Sequence, residues 1–177
     1  MKLDNTWKYL YKVDYYDQTN CNTNLLYTPY VNSDGSILCI DYTLNPDYQK
    51  DNNVTQSLVS HFFEKELAYL KQFQGKSWAP NLLQTDGTKM FIEFTGETLN
   101  HILFSSRQLD SVLPDWRDQL TEIMLDIDAS GFYKLALYPH SFFIGKDGKI
   151  KVLDFYTFLE KDNPYIPRKF IEDMIGH

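Results

Sequence analysis

The sequence predicts an α+β fold, and three stretches carry that expectation. Near the N-terminus apolar and polar residues alternate, with Trp7, Tyr9, Tyr11 and Val13 on one side and Lys8, Leu10 and Lys12 on the other, the period of a strand. Residues 54–74 place Leu58, Val59, Phe62, Phe63, Leu67, Leu70 and Phe73 at helical spacing, which makes one apolar stripe. Residues 137–158 read as a β-hairpin: a short strand over 141–144, the turn residues Gly145, Lys146, Asp147 and Gly148, and a return strand over 150–153.

A chain of 177 residues suffices for one domain with a sizeable core, or for two small lobes that share a cleft. Its net charge is −7 and it has no long basic run, so nucleic acid is not expected as a partner, because phosphate neutralisation needs clustered Lys and Arg. No apolar run is long enough to span a membrane and no signal-peptide core opens the chain. Cys21 and Cys39 have neither metal-ligand nor disulfide-framework spacing, which makes a cytoplasmic location the expectation. The 13 Tyr and 12 Phe read as a compositional bias rather than an aromatic binding surface.

In chain order, the first strand is expected within 6–16. The second is expected over 25–31, with Pro29 favouring an edge or a bulge. Asn32, Ser33, Asp34 and Gly35 form a strong turn into a third strand over 36–43. In the helix over 54–74, Glu66 lies four residues after Phe62 and four before Leu70, so it points from the middle of the apolar stripe. A carboxylate there must be paired, hydrogen-bonded or turned to a wet cleft; a gap in packing that lets it reach water is the alternative. Residues 81–83 enter a fourth strand and 89–94 form a buried fifth, followed by a turn and a short helix over 99–104. A further helix is expected over 114–130, with Pro114 in its first turn, an inner stripe of Trp116, Leu120, Ile123, Met124 and Ile127, and Gly131 at its end. Asn163-Pro164 breaks the chain before a short amphipathic helix over 169–175. The return strand of the hairpin ends on Asp154, an acid that either caps a turn or faces a cleft.

Several of these pieces, in this order, resemble the protein-kinase-like fold. Leu137-Tyr138-Pro139-His140-Ser141 falls on the L-x-P-x-N of the catalytic loop, and Asp154-Phe155-Tyr156 falls on the metal-binding D-F-G. The same alignment sets Lys134 on the catalytic-loop His, Ala136 on its Asp and Ser141 on the second metal-binding Asn. Glu66 with Leu70 matches the inward E-x-x-x-L of the first large helix. Phe91-Ile92-Glu93-Phe94 and the following Thr95-Gly96-Glu97-Thr98-Leu99 match the hinge. The resemblance covers roughly residues 6–158.

The resemblance implies a two-lobe architecture: an N-lobe over 1–94 and a reduced C-lobe over 95–177 that has no sequence for the helices that hold peptide substrates. It implies ATP and Mg2+ as cofactors, with Glu93 and Thr95 offering backbone groups to the adenine, Glu66 and Asp154 lining the nucleotide site, and Asp154 and Ser141 holding the metal. The departures are as informative. Ala136 can orient no attacking hydroxyl. No glycine-rich phosphate loop lies between the first two strands, and a backbone nest around phosphates usually needs glycine. Aligning Cys39-Ile40 on the third-strand motif puts Asp41 where a phosphate-pairing lysine is usual, which leaves Lys8 or Lys12 as substitutes. His140 is the candidate substitute base, since imidazole titrates near neutrality; a hydrogen-bonded structural His is the alternative. The expected function is a pseudokinase-type module that binds nucleotide or a protein partner. The alternative is an active but atypical ATP-dependent phosphotransferase acting on a small molecule or a protein.

Overall fold

The structure is a computed structural model that describes residues 1–10, 27–43, 55–135 and 137–163. The expectations for 11–16 and 25–26, for Lys12, Cys21 and Ala136, and for the helix over 169–175 lie outside the described residues.

Strands β1 (Lys8–Tyr9), β2 (Thr28–Val31), β3 (Ile37–Asp41), β4 (Leu82–Asp86) and β5 (Lys89–Glu93) form an antiparallel sheet in the order β1-β2-β3-β5-β4. Pro29 sits inside β2, which is paired on both sides, opposite Ile40 of β3; its carbonyl still accepts from the Leu10 N–H. The β2–β3 connection is the expected turn. Gly35 takes a φ of +77° and packs against Gly96, so a Cβ at Gly35 would stand 3.1 Å from the Gly96 Cα. Gly35→Ala is therefore expected to cost about 1–2 kcal/mol for the left-handed backbone and a further penalty for the contact. Gly131→Ala, whose φ is +86° with nothing near its Cβ position, carries the backbone cost alone. Thermal melting of both variants, with Gly35→Ala the less stable, checks this.

Helix α1 (Gln56–Gln72) starts at Thr55, whose side chain accepts from the Leu58 N–H. It buries Val59, Phe63, Glu66 and Leu70, one stripe at helical spacing. Leu58, expected in that stripe, is exposed because it lies in the first turn on the stripe's edge. Helices α2 (Leu99–Phe104), α3 (Leu109–Val112) and α4 (Trp116–Ala129) follow. The four-residue α3 has no sequence signal strong enough to predict it. On α4 the buried residues are Gln119, Ile123 and Ile127. The expected stripe omits Gln119, which is inside because its amide serves the hairpin: Nε2 donates to the Gly148 carbonyl and Oε1 accepts from the Ile150 N–H.

Strands β7 (Phe142–Ile144) and β8 (Ile150–Val152) pair as the expected hairpin. A second antiparallel pair, β6 (Phe132–Lys134) with β9 (Phe158–Glu160), sets Phe132 opposite Glu160, Tyr133 opposite Leu159 and Lys134 opposite Phe158. Between β8 and β9 the chain makes a single 3-10 turn, Phe155–Thr157.

The aromatic residues are largely core. Trp78, Phe155 and Phe158 stack nearly parallel, with Phe155 and Phe158 centroids 5.0 Å apart. Phe73, just past the end of α1, lies 5.0 Å from Trp78, and Phe132 from β6 lies 6.1 Å from Phe158 and 5.3 Å from Phe73. Such pairs add about 0.5–1.5 kcal/mol each beyond their burial. This stack locks the 3-10 turn against α1, and so fixes the residue just before the turn, Asp154.

Candidate functional site

Asp154 stands at the end of β8 with φ +62°, and among the described residues it is the one non-glycine in that region. A short polar side chain tolerates the conformation, but it is kept only where the surroundings impose it. Here they do so from both ends. The Asp154 carbonyl accepts from the Thr157 N–H and Oγ1 and from Lys134 Nζ, at 3.0, 2.7 and 3.3 Å. The carboxylate, which is 1 % exposed, accepts from the Tyr27 hydroxyl on Oδ1 and from the Ser141 hydroxyl on Oδ2 at 2.6 Å. The acid thus belongs to the turn through its backbone and to a buried cluster through its side chain.

Glu66 reaches the same cluster from α1. It is 1 % exposed, so the water-reaching alternative does not hold. The Tyr42 hydroxyl donates to Oε2, and the Phe155 N–H also donates to the carboxyl. Burial, reinforced by the charge of Asp154, pushes the Glu66 carboxyl up to about 8; the Tyr42 hydrogen bond, the charge of Lys134 and the Phe155 amide oppose that rise. Lys134, on β6, is buried as well, with Nζ 2.9 Å from Thr157 Oγ1. Burial pushes its ammonium down to about 8, against the pull of Asp154 and Glu66. At neutral pH the cluster therefore holds Glu66 protonated and Lys134 charged. No buried side-chain nitrogen or oxygen among the described residues lacks a hydrogen-bond partner.

The expected third-strand register is off by one. Ile37, Cys39 and Asp41 share one face of β3, and Leu38, Ile40 and Tyr42 share the other, which joins the main core. Asp41 faces away from α1 and accepts from the Thr43 N–H; burial, with the charge of Asp41 on the same face adding to it, pushes the Cys39 thiol up. Tyr42, one residue on, is the side chain that meets Glu66, since a one-residue slip exchanges the two faces. Lys8 is an exposed residue of β1. Among the described residues, the cation that approaches the acids is Lys134.

The structure brings Glu66, Ser141 and Asp154 together. His140 is their neighbour: its ring is half-buried and stacked on Tyr138 at 5.3 Å, burial lowers its pKa, and Asp154 opposes the shift. Glu93 and Thr95 form a separate group at the end of β5. The Glu93 N–H donates to the Asn81 carbonyl, its carboxylate accepts from Asn81 Nδ2 at 2.7 Å, and Lys146 lies 3.4 Å from it. Thr95 Oγ1 donates to the Ile144 carbonyl at 2.6 Å, tying this segment to the hairpin. A cavity of about 210 Å3 opens here between Asn81, Glu93, Thr95, Phe143 and Lys146. None of the cluster around Asp154 lines it.

Magnesium takes hard oxygen ligands and usually keeps water and phosphate oxygens among them. Asp154 and Ser141 fit that pattern as a partial site. Each carboxylate oxygen accepts one hydroxyl and retains further lone-pair capacity. Among the described residues no three His, Cys, Asp or Glu side chains gather to hold a metal on their own. A cation here would draw most of its ligands from a nucleotide and from water.

No family model and no curated protein sequence matches the chain. Solved structures do match in fold. A structure of the bifunctional kinase-methyltransferase WbdD aligns with a TM-score of 0.60 at 13 % identity, over 96 % of this chain and 36 % of that one. The crystal structure of monomeric WbdD gives 0.59 at 14 % identity, over 96 % and 39 %. WbdD bound to a kinase inhibitor gives 0.57 at 14 %, over 85 % and 34 %. The chain spans little more than a third of the length of these neighbours. Its fold is α+β and kinase-like.

Proposed function

We propose that the chain is a pseudokinase-type module: a kinase-like protein that binds a nucleotide, acts through contacts with a protein partner in the cytoplasm, and transfers little or no phosphate. The observation that carries this reading is the convergence of Glu66 and Asp154, from a helix and a hairpin 88 positions apart in sequence, on one buried cluster with Ser141. Glu66, Ser141 and Asp154, which the kinase-like resemblance would give to a phosphoryl site, lie together, while the alignment sets Ala136 where a base would orient the attacking hydroxyl. Asp154 and Ser141 would hold a magnesium ion, which would supply charge neutralisation at the phosphates. Glu93 and Thr95 would meet the adenine through their backbones, in a segment fixed by Asn81 and Ile144.

A second reading, an active phosphotransferase of atypical residues, draws on His140. Its lowered pKa keeps the imidazole neutral at physiological pH, as a proton acceptor must be, and it lies close enough to Asp154 to feel its charge.

Thermal melting with ATP, with and without Mg2+, separates these readings from no binding at all. ATP at about 100 times its Kd is expected to stabilise the protein by about 2.7 kcal/mol. Asp154→Asn is expected to abolish the Mg2+-dependent part, each shift being taken from the variant's own midpoint. Labelled-phosphate transfer is expected to be absent. Transfer that is lost in His140→Ala establishes the second reading, and no nucleotide effect on melting under any condition overturns both.

A further inference from the structure

We propose that the protein pairs with a second copy of itself through an uncharged apolar face, built by the end of α2 and by the segment that leads into the 3-10 turn Pro139–Ser141. Leu103, Phe104, Leu137 and Tyr138 carry it. The pairing needs neither nucleotide nor metal, so it can hold where the melting experiment with ATP fails, and fail where that one succeeds.

Among the described residues ten large apolar side chains are exposed, and five of them, Leu103, Phe104, Leu135, Leu137 and Tyr138, come from two short stretches. Those stretches meet, because α2 packs against the turn Pro139–Ser141 and against β7. The exposure is therefore gathered rather than scattered, and a gathered apolar patch marks an interaction site. On α2 the buried residues are Leu99, Asn100 and Ile102. Leu103 lies four positions after Leu99, and Phe104 four after Asn100, so both continue the buried stripe past the end of its cover. Leu137 is 55 % and Tyr138 61 % exposed. The Tyr138 ring is set in place by stacking on His140 at 5.3 Å, so docking against it orders little that is not already ordered.

Charge points to the occupant. The chain has 17 Lys and Arg and 24 Asp and Glu, yet residues 98–106 and 135–145 contain none of them. A partner with a charged surface would find no counter-charge there, and burying its charge unpaired is costly. Two copies of a chain of net charge −7 repel each other, and a face without carboxylates is where they can approach. An apolar face is also complementary to itself, as a two-fold pair requires. The Tyr138 hydroxyl both donates and accepts, so it can bond to its counterpart or to water at the rim. Five half-exposed side chains offer on the order of 400–500 Å2, so two copies would bury roughly 1,000 Å2, the lower end for a specific interface. Such an area supports a weak, reversible dimer with a Kd on the order of 10–100 µM.

The test is sedimentation velocity of the full chain across concentrations from about one-tenth of that Kd to about ten times it. The average mass is expected to rise with concentration from 20.9 kDa towards twice that value. Phe104→Asp and Tyr138→Asp are each expected to weaken pairing at least about 10-fold, since each sets a carboxylate into an apolar contact on both copies. Leu125→Asp, at a position 64 % exposed on α4, is expected to leave pairing unchanged. Each variant is melted to confirm that it folds, and the two face variants are independent of one another. A mass of 20.9 kDa at every concentration overturns the proposal. Flotation of that monomer with neutral phosphatidylcholine vesicles would then give the face to a membrane. Photo-crosslinks from position 138 to residues 164–177 within one chain would give it to the chain's own end. A dimer that survives both face variants, or that Leu125→Asp breaks, overturns the assignment of this face.

Discussion

Asp154→Ala is expected to destabilise the protein by about 3–5 kcal/mol in the absence of any ligand. The substitution removes the acceptor of the Tyr27 and Ser141 hydroxyls and the carboxylate charge beside the buried ammonium of Lys134. Each stranded hydroxyl costs its desolvation, about 1–3 kcal/mol, and an uncompensated buried cation costs more. For a chain of this size the loss is a fall of about 10–15 °C in melting temperature. Asp154→Asn keeps an acceptor oxygen and the tolerance for positive φ, so about half the loss is expected. A residue held in the left-handed region only to await a ligand would behave in the opposite way: its alanine variant would be as stable as wild type or more so. Urea unfolding of the three proteins distinguishes the two.

Stability is expected to fall as pH rises from about 4.5 to about 8, and to recover in part between about 8 and 10.5. The groups that set these windows face one another: Glu66, Tyr42, Lys134, Asp154 and the Phe155 amide. Glu66 keeps its proton in the folded protein up to about 8, whereas the unfolded chain releases it near 4.5. The folded state therefore binds the extra proton across that window, and stability declines with pH. Lys134 has the opposite sign. The unfolded chain holds its proton up to 10.5 while the folded protein releases it near 8, so stability rises across that higher window. The drop on the acid side is on the order of several kcal/mol. Glu66→Gln is expected to flatten the profile between pH 5 and 8. A slope unchanged in that variant would assign the titration to another group.

Much of the fold was legible because its signals are periodic. The α1 stripe, the 150–153 return strand and the 32–35 turn each follow from spacing or from turn chemistry, and the structure places all three where the spacing puts them. Glu66 stood out for the same reason, as a charge in an apolar stripe. Other parts carry no such signal. β6 and β9 are three residues each and pair across the hairpin, so nothing local marks them. Tyr27 and Tyr42 became visible only once β2 and β3 had a register, because face parity, not residue type, brings Tyr42 rather than Asp41 to Glu66. Lys134 was legible as a position in the catalytic-loop alignment, but its part as the cation of the cluster depends on the turn at Asp154 folding back over β6.

The buried cluster also explains why the aromatic stack lies where it does. The 3-10 turn after Asp154 presents the Phe155 amide to Glu66 and sends the Phe155 ring into the stack with Trp78 and Phe158. Packing and polar geometry are thus fixed by the same three residues. A polar network of this kind is costly unless complete, and here every described member is satisfied.

A double-mutant cycle on Glu66→Gln and Asp154→Asn, read by urea unfolding at pH 8, tests the central claim that these two acids share one buried cluster. The account predicts a coupling above about 1 kcal/mol, because the charge of Asp154 adds to the cost of ionising Glu66 beside it. Effects that add to within about 0.5 kcal/mol would contradict it.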